Sequence, residues 1–378
     1  MTISLLFFTC SICFVLMALI ALFNPARVNI AANRWMGLFY ISAACITLNP
    51  AIYSFGFARK LSFVMGFNEL SHFAMMPALY LAIVQFTTPA KKINVTDYLH
   101  LLPWAIFAVV QISALSGHNF LTWQQAQIFS WLSVIGIRSQ FIIYWVLAYK
   151  RLSNHQKHIR LIIADVEPVS LNWLKYLLGI LGLMLLCFYI SVLFKVGFSS
   201  VIAPCIYLAG SLGILYYSLA QKEIYPYQPE ELKSIRQVFV DVKDNAKTTK
   251  QRLTDEEASR LKARLDYLMT AEKLYLDPEL NLPQLAQLMP VTVNDLSYLL
   301  NVAIGTNFFQ FVNAHRVEEA KQLMLSEQYK HLNLLGIAYH AGFNSKTTFN
   351  TAFKKETGLS PTQFIQKEKN GQLVSTVV

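Results

Sequence analysis

Seven apolar stretches, each long enough to cross a bilayer, occupy the first 220 of the 378 residues. About twenty residues at 1.5 Å each cover a hydrocarbon core of about 30 Å. The stretches run at about 3–23, 35–56, 64–87, 98–116, 126–149, 173–194 and 198–220. Hydrocarbon leaves no water to satisfy backbone N–H and C=O groups, so a chain of this kind has few folds open to it. Apolar runs of this length imply helices, and the first 220 residues are expected to form an all-α, polytopic bundle of about seven spans. The third is the most interrupted, by Asn68, Glu69 and His72. The extreme N-terminus lacks a basic n-region and an A-x-A-like site, so the first stretch reads as a retained span.

Composition agrees: 54% of residues are hydrophobic and only 14% charged, with a mean hydropathy of +0.39. The net charge of +10 is unevenly spread. Residues 1–220 hold 13 Lys+Arg and 4 Asp+Glu, a difference of +9, whereas residues 221–378 hold 19 and 18, a difference of +1. The excess therefore reports membrane orientation rather than a nucleic-acid footprint. With the N-terminus outside, Arg27, Arg34, Lys91, Lys92, Lys150, Arg151, Lys157 and Arg160 fall in inner loops, against Arg59, Lys60 and Lys195 outside. That bias predicts N-out and C-in, with residues 221–378 in the cytoplasm. Trp35, Trp104, Trp123 and Trp173 fall near span ends, where interfacial anchors belong.

All five cysteines lie inside apolar stretches. Cys10 and Cys13 have no second pair to complete a metal site, so neither a disulfide framework nor a metal is expected. Ionisable residues inside the spans are few, and each marks a site or a packing device because charge in lipid is costly. Arg138 lies mid-way along the fifth stretch, and Glu69 and His72 sit one turn apart on the third. A Glu69–Arg138 pair would neutralise both charges. The cluster, with Asn68, Gln111 and Gln140, has two readings: a small-molecule or ion site, or a polar pair that fixes helix packing.

After Leu219 the pattern changes. Residues 221–253, with Pro226 and Pro229, read as a polar linker. Thr254 then opens a helix, with Glu257 three residues on to complete a capping box. Leu261, Leu265, Leu268 and Met269 give that helix one apolar stripe, which either packs within the following module or pairs with a second subunit. Further on, 334–340 reads as a short helix with Ala338 inward. Gly342 follows where a helix-turn-helix needs a backbone at positive φ, and Ser345 caps the next helix, about 346–356. Phe349 and Phe353 face inward on it. Lys346, Thr347, Asn350 and Thr351 form a face without acidic residues that suits base edges, with Lys354 and Lys355 reaching phosphates.

The run Gly342-Phe343-Asn344-Ser345 through Thr348-Phe349, Phe353-Lys354-Lys355, Gly358, Pro361 and Phe364 resembles the signature of AraC-type (AraC/XylS) transcriptional regulators. Arg316-Val317-Glu318-Glu319-Ala320-Lys321, with Leu323-Met324, is similar to their long connecting helix. The resemblance covers about residues 275–366. It implies a DNA-binding domain at 254–370 with helix-turn-helix units at about 282–301 and 334–356, and a tail at 371–378. Each unit would place its second helix in the major groove of double-stranded promoter DNA. Lys346, Thr347, Asn350 and Thr351 match base-reading positions of the second unit; Asn294, Ser297, Tyr298 and Asn301 match those of the first; and Arg316 joins the DNA-contacting set. The first unit departs from the pattern at Pro290, whose ring opposes positive φ at the turn.

The expected protein is thus a membrane-bound, one-component transcription regulator without enzymatic activity or cofactor, in the cytoplasmic (inner) membrane of a bacterium. Homodimers or repeated half-sites are expected on DNA, RNA polymerase is a further partner, and the membrane-derived or small-molecule signal is open. Two other classes stay open: a transporter with a regulatory DNA-binding tail, and a membrane interaction protein whose tail has lost its DNA role.

Overall fold

The computed structural model describes residues 2–25, 27–88, 93–118, 121–194, 199–244 and 252–375. Lys91, Lys92 and Lys195, which carry part of the orientation argument, lie outside these. The described chain is helical, apart from an isolated bridge between Ile163 and Asn281. It divides into two compact units: Met1–Asn154 with Leu171–Ile224, and His155–Ser170 with Tyr225–Val378.

The first unit contains α1 (Thr2–Phe23), α2 (Ile30–Ser54), α3 (Ser62–Asn68), α4 (Ser71–Thr87), α5 (Val95–Tyr98), α6 (Leu102–Leu115), most of α7 (Trp123–Ile159), α8 (Asn172–Phe194) and α9 (Ser199–Ala220). Among the described residues five helical stretches are long and apolar enough to cross a membrane: Ser4–Phe23, Ile30–Ser54, Ser62–Thr87, Val95–Leu115 and Trp123–Ile159. They coincide with the first five expected spans. The last two expected spans fall on α8, whose apolar part is Asn172–Cys187, and on α9.

Polar side chains inside this unit bond across helices, which in lipid is what holds apolar helices in register. Ser11 donates to the Ala44 carbonyl (2.9 Å) and Gln140 to that of Phe73 (2.9 Å). The third expected span is interrupted at Glu69–Leu70. There Asn68 donates to Asn49 Oδ1 (2.8 Å) and Asn49 to Glu69 Oε1 (2.9 Å), tying the break to α2. His72 Nδ1 lies 3.3 Å from Glu69 Oε2. Glu69 is thus held by Asn49 and His72 rather than by the expected Arg138, which stands 5.9 Å from the Tyr189 ring.

The second unit contains α10 (Pro229–Asp244), α11 (Asp255–Thr270), α12 (Leu282–Leu288), α13 (Val293–Tyr298), α14 (Phe308–Leu325), α15 (Leu334–His340), α16 (Lys346–Thr357) and α17 (Pro361–Ser375). The stretch read as a linker therefore holds a helix, α10, which buries Ile235, Val238 and Phe239 and packs against α13. Its apolar positions recur at helical spacing behind an acidic first turn, Glu230-Glu231. In α11 the expected capping box forms, and Leu265, Leu268 and Met269 are buried within the unit.

The segment His155–Ser170, between the fifth and sixth expected spans, belongs to this second unit. α7 explains how. Its 37 residues extend about 55 Å at 1.5 Å each, well beyond a hydrocarbon core of about 30 Å.

Candidate nucleic-acid interface

The second helix-turn-helix is built from α15 and α16. Asn333 caps α15 by accepting from the Gly336 amide (2.8 Å), and Ser345 caps α16 by accepting from Thr348 (3.0 Å). Between them Gly342 takes φ +88°, and a Cβ there would meet the Tyr275 carbonyl oxygen at 2.5 Å. The turn thus needs glycine twice, for its dihedral and for its close approach. Beneath α16, Phe349 packs edge-on against Phe343 (5.2 Å) and Phe353 (5.6 Å), and Phe353 meets Phe364 of α17 (5.5 Å). Burying that face turns the other outward: Lys346, Thr347, Asn350, Thr351, Lys354 and Lys355 are all exposed. This exposed face has donors, acceptors and cations and no carboxylate until Glu356.

The first unit differs. Asn281 and Thr292 cap α12 and α13 as expected of short helices. Pro290 at the turn takes φ +24°, so the expectation that this turn stays at negative φ is overturned. Ser297, expected to read bases, is 5% exposed, because it falls on the inner side of α13. Asn301 spends its amide on the Ser297 carbonyl (2.8 Å), and Asn294 Oδ1 is buried without a partner. Tyr298 is half-buried.

Arg316 is the second correction. It is fully buried, with Nε donating to the Tyr275 carbonyl (2.7 Å) and Nη2 to that of Asp277 (2.8 Å). Burial pulls its pKa down to about 10, against the opposing pull of Asp165 and Asp277, so it stays charged at neutral pH. Its guanidinium ties α14 to the segment before α12 and has no face toward DNA.

The segment His155–Ser170 enters the module as an inserted clasp that nothing in its sequence marked. Phe309 N donates to the Arg160 carbonyl (3.0 Å), Leu282 N to that of Ile162 (2.9 Å) and Asn313 Nδ2 to that of Ala164 (2.9 Å). Ile159, Ile162 and Ala164 are buried. At its end Asp165 Oδ1 accepts from Thr348 Oγ1 (2.8 Å), which in turn accepts from Ser345 Oγ (2.9 Å). A buried carboxylate therefore sits on the first turn of α16, where the helix dipole favours a negative charge. Burial pushes the Asp165 carboxyl above its ordinary value, more than the Thr348 and Glu167 hydrogen bonds and Arg316 lower it.

Residues 285–367 match a family model described as a helix-turn-helix domain. No curated protein and no solved structure matches the chain. The matched segment takes in most of the first unit, the connecting helix α14 and the whole second unit. Residues 285–367 are accordingly a helix-turn-helix domain of the AraC type, following a region that has, among the described residues, five helices of membrane-spanning length and composition.

Proposed function

We propose that this chain is a membrane-resident, one-component transcription regulator. Seven helices (α8 and α9 being the last two spans) sense a signal at or in the bilayer, and the cytoplasmic module binds promoter half-sites, N-terminus out and C-terminus in. One observation carries the reading: α16 exposes Lys346, Thr347, Asn350 and Thr351 together while its aromatic face is buried. Bidentate and phosphate contacts to DNA need such a face.

The clasp supplies a route for the signal. Both ends of His155–Ser170 continue into apolar helices, α7 and α8, and its Asp165 is bonded to the first turn of α16. A shift of α7 against α8 would pull on that bond, and thereby on Lys346 and Thr347 beside it. The packing of α10 on α13 and the burial of Ser297 favour a limited role for the first unit, as backbone support rather than base reading.

The test is genome-wide occupancy of the full-length protein beside a Lys346→Ala/Asn350→Ala variant. Discrete promoter peaks that disappear in the variant, at equal protein level, are expected. Peaks unchanged in the variant, or none in either, would overturn the reading and bring forward a module that binds protein.

A further inference from the structure

The first unit holds a partly open cavity of about 380 Å³ between α1, α2, α4, α7, α8 and α9, a volume within the range that holds drug-sized ligands. Most of its wall is apolar, as with Phe39, Met76, Ile180 and Ile214. Two polar side chains of α7, Arg138 and Gln140, share the lining with His72 of α4. Gln140 is the informative one. It is 8% exposed, its amide donates to the Phe73 carbonyl, and its Oε1 is buried with no partner. An acceptor left in that state costs free energy that a bound hydroxyl or acid proton recovers. His72 has its Nδ1 turned to Glu69, while Arg138 brings a guanidinium to the same wall as Gln140.

We propose that this cavity binds a medium-chain amphiphile carrying both an anionic group and a hydrogen-bond donor, such as a hydroxylated fatty acid. The apolar chain fills the space lined by α2, α8 and α9. The carboxylate meets Arg138, and the hydroxyl donates to Gln140 Oε1. A plain hydrocarbon leaves Gln140 unsatisfied, and an inorganic anion leaves the apolar walls unfilled. The inference deepens the regulator reading by naming the class of its signal, and it rests on that reading only for its effect on DNA.

The experiment uses full-length protein in lipid nanodiscs with 3-hydroxydodecanoate as the probe and dodecanol as the uncharged comparison. Saturable binding of the hydroxy acid is expected, with dodecanol, Arg138→Gln and Gln140→Leu each weaker by roughly tenfold or more. Thermal melts establish that each variant is folded. Ala43→Leu, which narrows the cavity from α2 without touching its polar groups, is expected to weaken both compounds alike. Absence of saturable binding, equal affinity across the α7 variants, or a co-purified phospholipid that the probe fails to displace would overturn the proposal. DNA affinity measured in the same nanodiscs separates the two claims. Ligand binding that leaves DNA affinity unchanged upholds the site and sinks its regulatory role.

Discussion

Arg316 shows how a residue on a matched motif can hold a role other than the one its position implies. Its place on the connecting helix was legible in the sequence; its burial was not, because the two carbonyls it serves belong to Tyr275 and Asp277, some forty residues away. Arg316→Ala leaves those acceptors and Asp165 uncompensated. It is expected to destabilise the module by about 3 kcal/mol or more, losing DNA binding only through loss of fold. Lys346→Ala is expected to lose DNA affinity with the melting curve unchanged, so the pair of variants separates scaffold from contact. Arg316→Lys recovers little, since an ammonium lacks the planar fork that spans two carbonyls. The glycines permit a similar separation. Gly342 and Gly358 both sit at positive φ, but a Cβ at Gly358 meets nothing within 4 Å while one at Gly342 meets a backbone oxygen. Gly358→Ala is expected to cost about 1 kcal/mol from the dihedral alone, and Gly342→Ala clearly more, read as the difference between their thermal midpoints.

Among the elements, the short helices were the most legible. Caps at Thr254 and Ser345 and the glycine turn at 342 are local signals, and each marks a boundary that the structure keeps. Two elements were not. The helix α10 lies in a stretch whose prolines and charges read as a linker, and its apolar positions gain meaning only from α13 beneath them. The clasp at 155–170 is bonded to partners more than a hundred residues away, which no local pattern encodes. Asp165 gives the clasp a pH dependence whose sign follows from burial. Because its pKa is raised on folding, the stability it contributes is full below the ordinary value of 3.8 and is lost as pH rises through the elevated one. Asp165→Asn keeps an acceptor for Thr348 and removes the charge. Hydrogen exchange at the first turn of α16 in the full-length protein is expected to be slower in the variant near neutral pH, the difference closing as the medium is acidified. A variant that exchanges faster at every pH would mean that the charge itself holds the clasp.

For the whole molecule, the uneven charge matters more than the total. Residues 280–369 carry 8 Lys+Arg against 6 Asp+Glu, and α16 exposes three lysines. If those three neutralise phosphates, the slope of log affinity against log salt is about −3 for one module and about twice that for a pair on adjacent half-sites. Titrating full-length protein with one-site and two-site DNA across a salt series reads both, and a slope steeper than about −6 on one site would show cations that α16 does not account for. The bundle was legible from hydropathy because hydrocarbon permits so few backbones. Its cavity was not, since such space arises from how side chains on six helices fail to fill the gap between them. The clasp has one more consequence. If α7 and α8 span the bilayer as proposed, a module completed by the stretch of chain between them does not stay whole when clipped off after α9, and such a regulator acts from the membrane. On that proposal the chromosome has to come to the protein, and the promoters within its reach are those whose loops of nucleoid approach the envelope.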